Sequence, residues 1–282
     1  MSIQLSIAIV TRNRPESLTK TLNSIINQTV KPFEVIISDD SDDDIATEVK
    51  NLVSEYGFKY FRGPQKGLYA NRNFVAKQCQ GTHFRTMDDD HTFTNDHFEK
   101  CFECLKTDTS SIWILGEYFP DKIDYNMINP PIPGQLNING VSSAPINNQN
   151  SWAISCGGTI YPLSIIKQGI YYCELYSFGN LHLEYGARLY KLNYRIRLIS
   201  NTFIIHNIYE NKRSYCLGKK EIEINFFLSL CYGLLYFPSL FNKFQLVIIF
   251  IKLIFKNKFK IFFTCLDSFK VFQNFKKTYF KS

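Results

Sequence analysis

The chain has 282 residues, 45% hydrophobic and 20% charged, which excludes wholesale disorder and leaves room for one large domain with an appendage. The formal charge is +7, yet Asn242 to the end holds nine Lys and one Asp, so residues 1–241 carry a net −1 and no nucleic-acid footprint covers the body. Eight cysteines with one CxxC, Cys101 and Cys104, exclude a zinc ribbon and fit small buried hydrophobes in a reducing compartment.

The N-terminus, MSIQLSIAIVTRNRP, has no basic leader and no sustained apolar stretch, so no signal peptide is expected and a cytoplasmic location follows. Gln4 to Val10 is β-branched and reads as a strand broken by Thr11 to Pro15. Leu18, Leu22, Ile25 and Ile26 recur at helical spacing. Phe33 to Ser38 is a second strand, and Ile45, Val49, Leu52 and Val53 mark a second helix. Phe58 to Phe61, a helix over Gly67 to Cys79, and a strand from His83 to Met87 follow. Alternation this short predicts an α/β fold, an open and mostly parallel sheet flanked by helices. Pro120 to Asn150 reads as a long surface loop, Leu181 to Leu192 as a helix, and Tyr194 to Ile205 as one or two strands.

Ligands of such sheets bind beyond the carboxyl ends of the strands. Three polar clusters leave those ends: Thr11 to Arg14, Asp39-Asp40-Ser41, and Asp88-Asp89-Asp90. An acidic turn alone is common as a cap or solvated bend. Three adjacent carboxylates repel each other unless a cation is present, and hard oxygen donors suit Mg²⁺ or Mn²⁺ bridging to phosphate. In extended backbone Asp88 and Asp90 face the same way, so both can address one ligand.

Four segments in order, SIAIVTRNRP at 6–15, FEVIISDDSD at 33–42, GLYANRNFVAKQCQG at 67–81 and FRTMDDDHTF at 84–93, resemble family 2 glycosyltransferases of the GT-A fold, the last resembling their DxD motif. The resemblance implies an inverting sugar transfer from a nucleotide-diphospho sugar, UDP-linked by preference. Thr11 would contact the nucleotide, Asp40 the uracil imide, and Arg72 the nucleotide or diphosphate. Asp88 would lie near the ribose, Asp90 would ligate the metal, and Asp89 would share either role. His206, after the apolar NTFIIH, is placed like a late metal or diphosphate ligand, or is a surface histidine. The glycine turn Ser155 to Gly158 would flank the donor sugar, or be simply a turn. Trp113 and Trp152 either stack on sugar or fill the core.

The family commonly sets an acidic pair before a helix carrying Arg-Leu. Here Arg188-Leu189 fits, but Leu181-His182 stands where the pair is expected. Glu184 is the nearest carboxylate and the first choice of catalytic base, with His182 second; an ion pair with Arg188 is the equal alternative for Glu184. The rival to an enzyme is a degenerate GT-A domain that binds a nucleotide sugar or partner without turnover. A nucleotidyltransferase would need a Gly-rich loop after the first strand, which is absent.

Residues 1–210 are thus expected to form the transferase domain and 211–282 a basic, aromatic-rich helical region. Phe226 to Ile251 is almost free of charge but is interrupted by Pro238, Asn242 and Lys243. That break argues for an amphipathic pair on the inner membrane surface over a straight span. The expected acceptor is a glycan or lipid-linked hydroxyl in cell-envelope polysaccharide synthesis.

Overall fold

The computed structural model describes residues 2–120, 135–136, 142–143, 153–174, 181–207 and 238–257, with separate helical residues between 227 and 277. Its elements begin with β1 (Leu5–Thr11), α1 (Pro15–Ile26), β2 (Glu34–Asp39), α2 (Asp43–Glu55), β3 (Lys59–Arg62), α3 (Leu68–Gln78) and β4 (His83–Asp88). There follow β5 (His91–Thr92), α4 (His97–Thr107), β6 (Ile112–Tyr118), β7 (Gln135–Leu136), β8 (Ser142–Ser143) and β9 (Thr159–Pro162). The last are α5 (Ser164–Lys167), α6 (Leu181–Lys191), β10 (Ile196–His206) and α7 (Leu240–Asn257). The long segment before Asn150 and Trp152 lie almost wholly outside the described residues, as does the expected boundary near 210.

One eight-stranded sheet runs in the order β3-β2-β1-β4-β9-β6-β10-β5. Strands β1 to β4 are parallel, as is the β6–β10 pair. Strand β9 is antiparallel to both β4 and β6, and β5 pairs antiparallel with the end of β10. The sheet is therefore mixed, with one antiparallel strand in the middle and one at an edge.

Every residue of β1 is buried, because both sheet faces are covered. Its side chains alternate between two cores. Leu5, Ile7 and Ile9 join Leu18, Leu22 and Ile25 of α1, Val49 and Val53 of α2, and Phe98 and Leu105 of α4. Ala8 and Val10 join Tyr69 and Val75 of α3 and Leu183, Tyr185 and Leu189 of α6.

The C-terminal region shares a core with the body. Phe227, Cys231, Tyr236 and Phe272 are buried in the same core as Ala8 and Tyr185. Helix α7 starts two residues after Pro238, whose ring cannot continue a helix but is tolerated just before one. Among the described residues, no helix is long and apolar enough to cross a membrane.

Candidate active site

Parallel registry sets the site. Thr11 lies opposite Asp39, and Val10 opposite Asp88, so β1, β2 and β4 end level and deliver their polar clusters to one rim. On that rim the Thr11 hydroxyl donates to Asp89 Oδ2 at 2.5 Å. Arg14 grips Asp89 and donates from Nη1 to Asp90 Oδ2 at 3.0 Å. Burial pushes the Asp89 carboxyl up, against the opposing pull of Arg14. These bonds tie the loop after β1 to the acidic turn, and make Asp89 a structural clamp within it.

Arg72 enters from α3, fully buried, and donates from Nη2 to Asp88 Oδ1 at 2.6 Å. Its other arm donates to the carbonyl of Cys156, in the turn before β9. Burial alone would raise the Asp88 pKa, but the charge of Arg72, helped by Arg14, outweighs it and holds the carboxylate below its usual range. Arg72 is thus a fixed cation with an ionised partner.

Asp40 directly follows β2, and its backbone N–H donates to the Thr11 carbonyl at 3.0 Å. Its Oδ1 accepts the Gln65 backbone N–H at 2.8 Å, and burial raises its pKa. Gly63 makes this possible, since a Cβ there would fall 2.2 Å from Asp40 Oδ1.

Two histidines meet Asp90. His91 and His206 are directly paired across the β5–β10 ladder, with ring centroids 4.4 Å apart. One donor atom from each of Asp90, His91 and His206 lies within 4.8 Å of the others. Asp90 Oδ1 and both ring nitrogens of His91 are buried without a hydrogen-bond partner. Orphaned buried polar atoms are costly, and one carboxylate with two imidazoles fits a divalent cation, so the residues present suit a metal.

Glu117, at the outer end of β6, completes the arrangement. His206 Nδ1 lies 3.2 Å from Glu117 Oε2, which assigns the proton to Nδ1 and turns Nε2 toward Asp90, 3.6 Å away. Burial would raise Glu117, but the hydrogen bond from His206 leads the pull that holds it at about 2. Burial, then the neighbouring His206, lower His91 to about 4, so its ring is neutral at physiological pH. Gly157 is packed against that ring, where a Cβ would lie 2.1 Å from Cε1.

The two base candidates on α6 differ sharply. Glu184 faces the core, where Oε1 accepts Arg188 Nε at 2.9 Å and also the Tyr236 hydroxyl. Burial raises its pKa, countered by Arg188 and then Tyr236. The ion pair accounts for this side chain, and the first choice of base is set aside on that ground. His182, two residues earlier, is half-buried beside the rim. Its Nδ1 is 3.4 Å from both the Tyr69 hydroxyl and Cys156 Sγ, while Nε2 has no hydrogen bond among the described residues. Burial, then Arg72, lower it to about 4.

Sequence alone missed Arg14, His91 and Glu117. His91 directly follows the acidic turn, and an imidazole beside three carboxylates was a usable signal. Glu117 had none, since only the β6–β10 pairing brings it to His206. Trp113 is buried, and its indole N–H donates to the Asp108 carbonyl at 2.9 Å, away from the rim.

The architecture is that of the GT-A fold. Solved structures sharing it include S. aureus TarS 1–349 in complex with UDP-GlcNAc, with a TM-score of 0.62 and 15% identity over 82% of this chain and 67% of that one. GalNAc-T7 with UDP, GalNAc and Mn²⁺ gives a TM-score of 0.62 and 14% identity over 77% of this chain and 45% of that one.

The chain belongs to glycosyl transferase family 2, whose profile matches residues 6–167. Among curated relatives, the uncharacterized glycosyltransferase YwdF of Bacillus subtilis is 35% identical over 106 residues, 37% of this chain and 39% of that protein. GalNAc(5)-diNAcBac-PP-undecaprenol beta-1,3-glucosyltransferase of Campylobacter jejuni is 37% identical over 91 residues, 31% of this chain and 29% of that protein. The match thus spans well under half the length of these relatives.

Proposed function

We propose that the chain is a metal-dependent, inverting hexosyltransferase that takes a sugar from a UDP-linked donor. The observation that carries this reading is the convergence of Thr11, Arg72, the Asp88–Asp90 turn and the His91–His206 pair on one rim. Asp40 would accept the uracil imide N–H and Arg72 would bind the diphosphate, while Asp88 approaches the ribose. UDP and UDP-GlcNAc bound to TarS support the donor class.

Asp90, His91 and His206 would hold the cation, and two imidazoles favour Mn²⁺ over Mg²⁺. When bound, it would neutralise charge on the departing diphosphate. The chain's own residues do the rest. The acceptor oxygen attacks the anomeric carbon as the bond to the diphosphate breaks, and Arg72 meets the developing negative charge. His182 Nε2 takes the acceptor proton, with Nδ1–H directed to the Tyr69 oxygen.

The acceptor is proposed to be a lipid-linked glycan of the cell envelope, supported by the undecaprenol-linked chemistry in the Campylobacter relative's name. The test is a donor screen: hydrolysis and transfer of UDP-, GDP- and dTDP-sugars with and without Mn²⁺, the product anomer read by NMR. UDP-sugar turnover that EDTA abolishes and Mn²⁺ restores is expected. Full turnover in excess EDTA would overturn the metal assignment. Tight UDP-sugar binding with no turnover on any acceptor would favour a pure binding module, the reading that the Leu181-His182 departure supports.

A further inference from the structure

Helix α7 presents two apolar faces. Leu246, Ile249, Phe250 and Ile254 pack toward the protein core. Leu240, Phe241, Phe244, Val247, Ile251 and Phe255 are exposed, Leu240 and Phe255 at 84% each. At the helical repeat these six fall within one arc of roughly 120°. Lys243 borders one side of that arc and Lys252 the other, and both are exposed. Phe263, Leu266 and Phe269 extend the exposed apolar surface beyond the helix, with Lys270 and Lys277 also exposed.

We propose that this stripe is a membrane-docking surface, on which α7 lies in the plane of an anionic bilayer. A stripe of large side chains has no reason to face water unless something covers it. Charge selects the cover. From Asn242 onward the chain has nine Lys against one Asp. A second copy would bring the same cationic borders together, whereas anionic head groups complement both. The Lys stems can lie along the apolar border while their ammonium groups reach the phosphates. The inward face of α7 packs on the core shared with α6, so docking would hold the catalytic rim at a fixed height above the lipid.

The proposal is independent of the donor assignment. Full-length protein is tested by co-sedimentation with vesicles of one third phosphatidylglycerol in phosphatidylcholine, and with phosphatidylcholine alone, at low and high salt. UDP affinity of each variant is measured in parallel to report the fold. Binding is expected to the anionic vesicles, weakened by salt as the Debye length contracts. The triple variant Phe244→Ser/Val247→Ser/Phe255→Ser should bind them at least about tenfold more weakly, since the apolar area buried in the interface is cut, with UDP affinity unchanged. Lys243→Glu/Lys252→Glu should shift the salt dependence in the same direction. Three results would overturn the proposal: no vesicle binding at low salt, equal binding by the triple variant, or a dimer that the triple variant abolishes without vesicle binding. Loss of UDP turnover would leave the surface assignment standing, and loss of vesicle binding would leave the donor assignment standing.

Discussion

At the scale of single residues, proximity in sequence and proximity in chemistry part company on α6. Glu184 and His182 are two positions apart, yet one is consumed by the core and the other borders the rim. Glu184→Gln is therefore expected to lower stability by about 3 kcal/mol, the scale for breaking a buried pair, while sparing the kcat of the surviving folded enzyme. His182→Ala should retain UDP affinity and lose transfer by roughly 10² or more. Thermal melts and steady-state kinetics separate the two; the reverse ranking would return the base to Glu184. A base held near 4 is active when deprotonated, so kcat should stay flat through neutral pH and fall only as pH drops toward about 4. The acid limb would be missing in His182→Ala. The acidic turn was legible because three adjacent carboxylates follow an apolar strand, and Arg72 because its segment resembles the family. The choice between Glu184 and His182 was not, because it depends on which way the first turn of α6 faces.

At the scale of elements, two glycines show how backbone economy shapes the site. Gly63→Ala would displace Asp40, and Gly157→Ala would displace the His91 ring. The first is expected to weaken UDP binding and leave Mn²⁺ affinity alone. The second should weaken Mn²⁺ by about 10- to 100-fold, the scale of losing a supporting contact at a metal ligand, which a manganese titration followed by EPR would detect. Equal effects of both on both ligands would show that the two halves of the rim are not separable. The early β–α alternation was readable because each strand is a short apolar run followed by a helical stripe. Helix α4 and strand β6 went unread, and β9 has only four residues, too few for a period to emerge. Its antiparallel placement rests on long-range pairing with β4 and β6, which no local pattern encodes.

Arg85, on β4 behind the rim, adds a test of core electrostatics. It is fully buried and meets His97 Nε2 at 2.7 Å and Cys101 Sγ at 3.6 Å, both uncharged, beneath the Phe93 ring. Burial lowers its pKa, with partial relief from Cys101. Buried cations without a counter-charge rarely stabilise. Arg85→Met should leave the unfolding free energy unchanged or raise it by about 1–2 kcal/mol in denaturant titration. A loss of similar size would show that the Arg85–His97–Thr202 hydrogen-bond chain outweighs desolvation.

At the scale of the whole molecule, composition foresaw a neutral body and a basic C-terminal region, but not that the two share a core. Sequence shows the change in character after Asn211; packing of Phe227, Tyr236 and Phe272 against the body appears only in three dimensions. Removing residues 212–282 should therefore do more than free a tail. Losing the burial that those three aromatic side chains provide costs on the order of 5 kcal/mol, comparable to the net stability of a domain. The truncated chain is expected to aggregate or melt well below the full chain by differential scanning fluorimetry. A truncation with an unchanged melting temperature would show the region to be an independent unit.

The turn before β9 carries one more consequence. Within three residues, Cys156 receives Arg72 on its carbonyl and His182 beside its sulfur, while Gly157 backs the His91 ring. The residues proposed to bind the donor, take the proton and face the metal thus share one short piece of backbone. In sequence, the Pro- and Asn-rich segment 121–152 leads directly into this piece. Anyone grafting a new acceptor loop onto this scaffold would be pulling on the hinge pin of all three groups at once. Loop exchanges ending before Ala153 and holding 153–162 fixed should keep donor hydrolysis intact, whereas exchanges that run through the turn should lose it regardless of the acceptor they were chosen for.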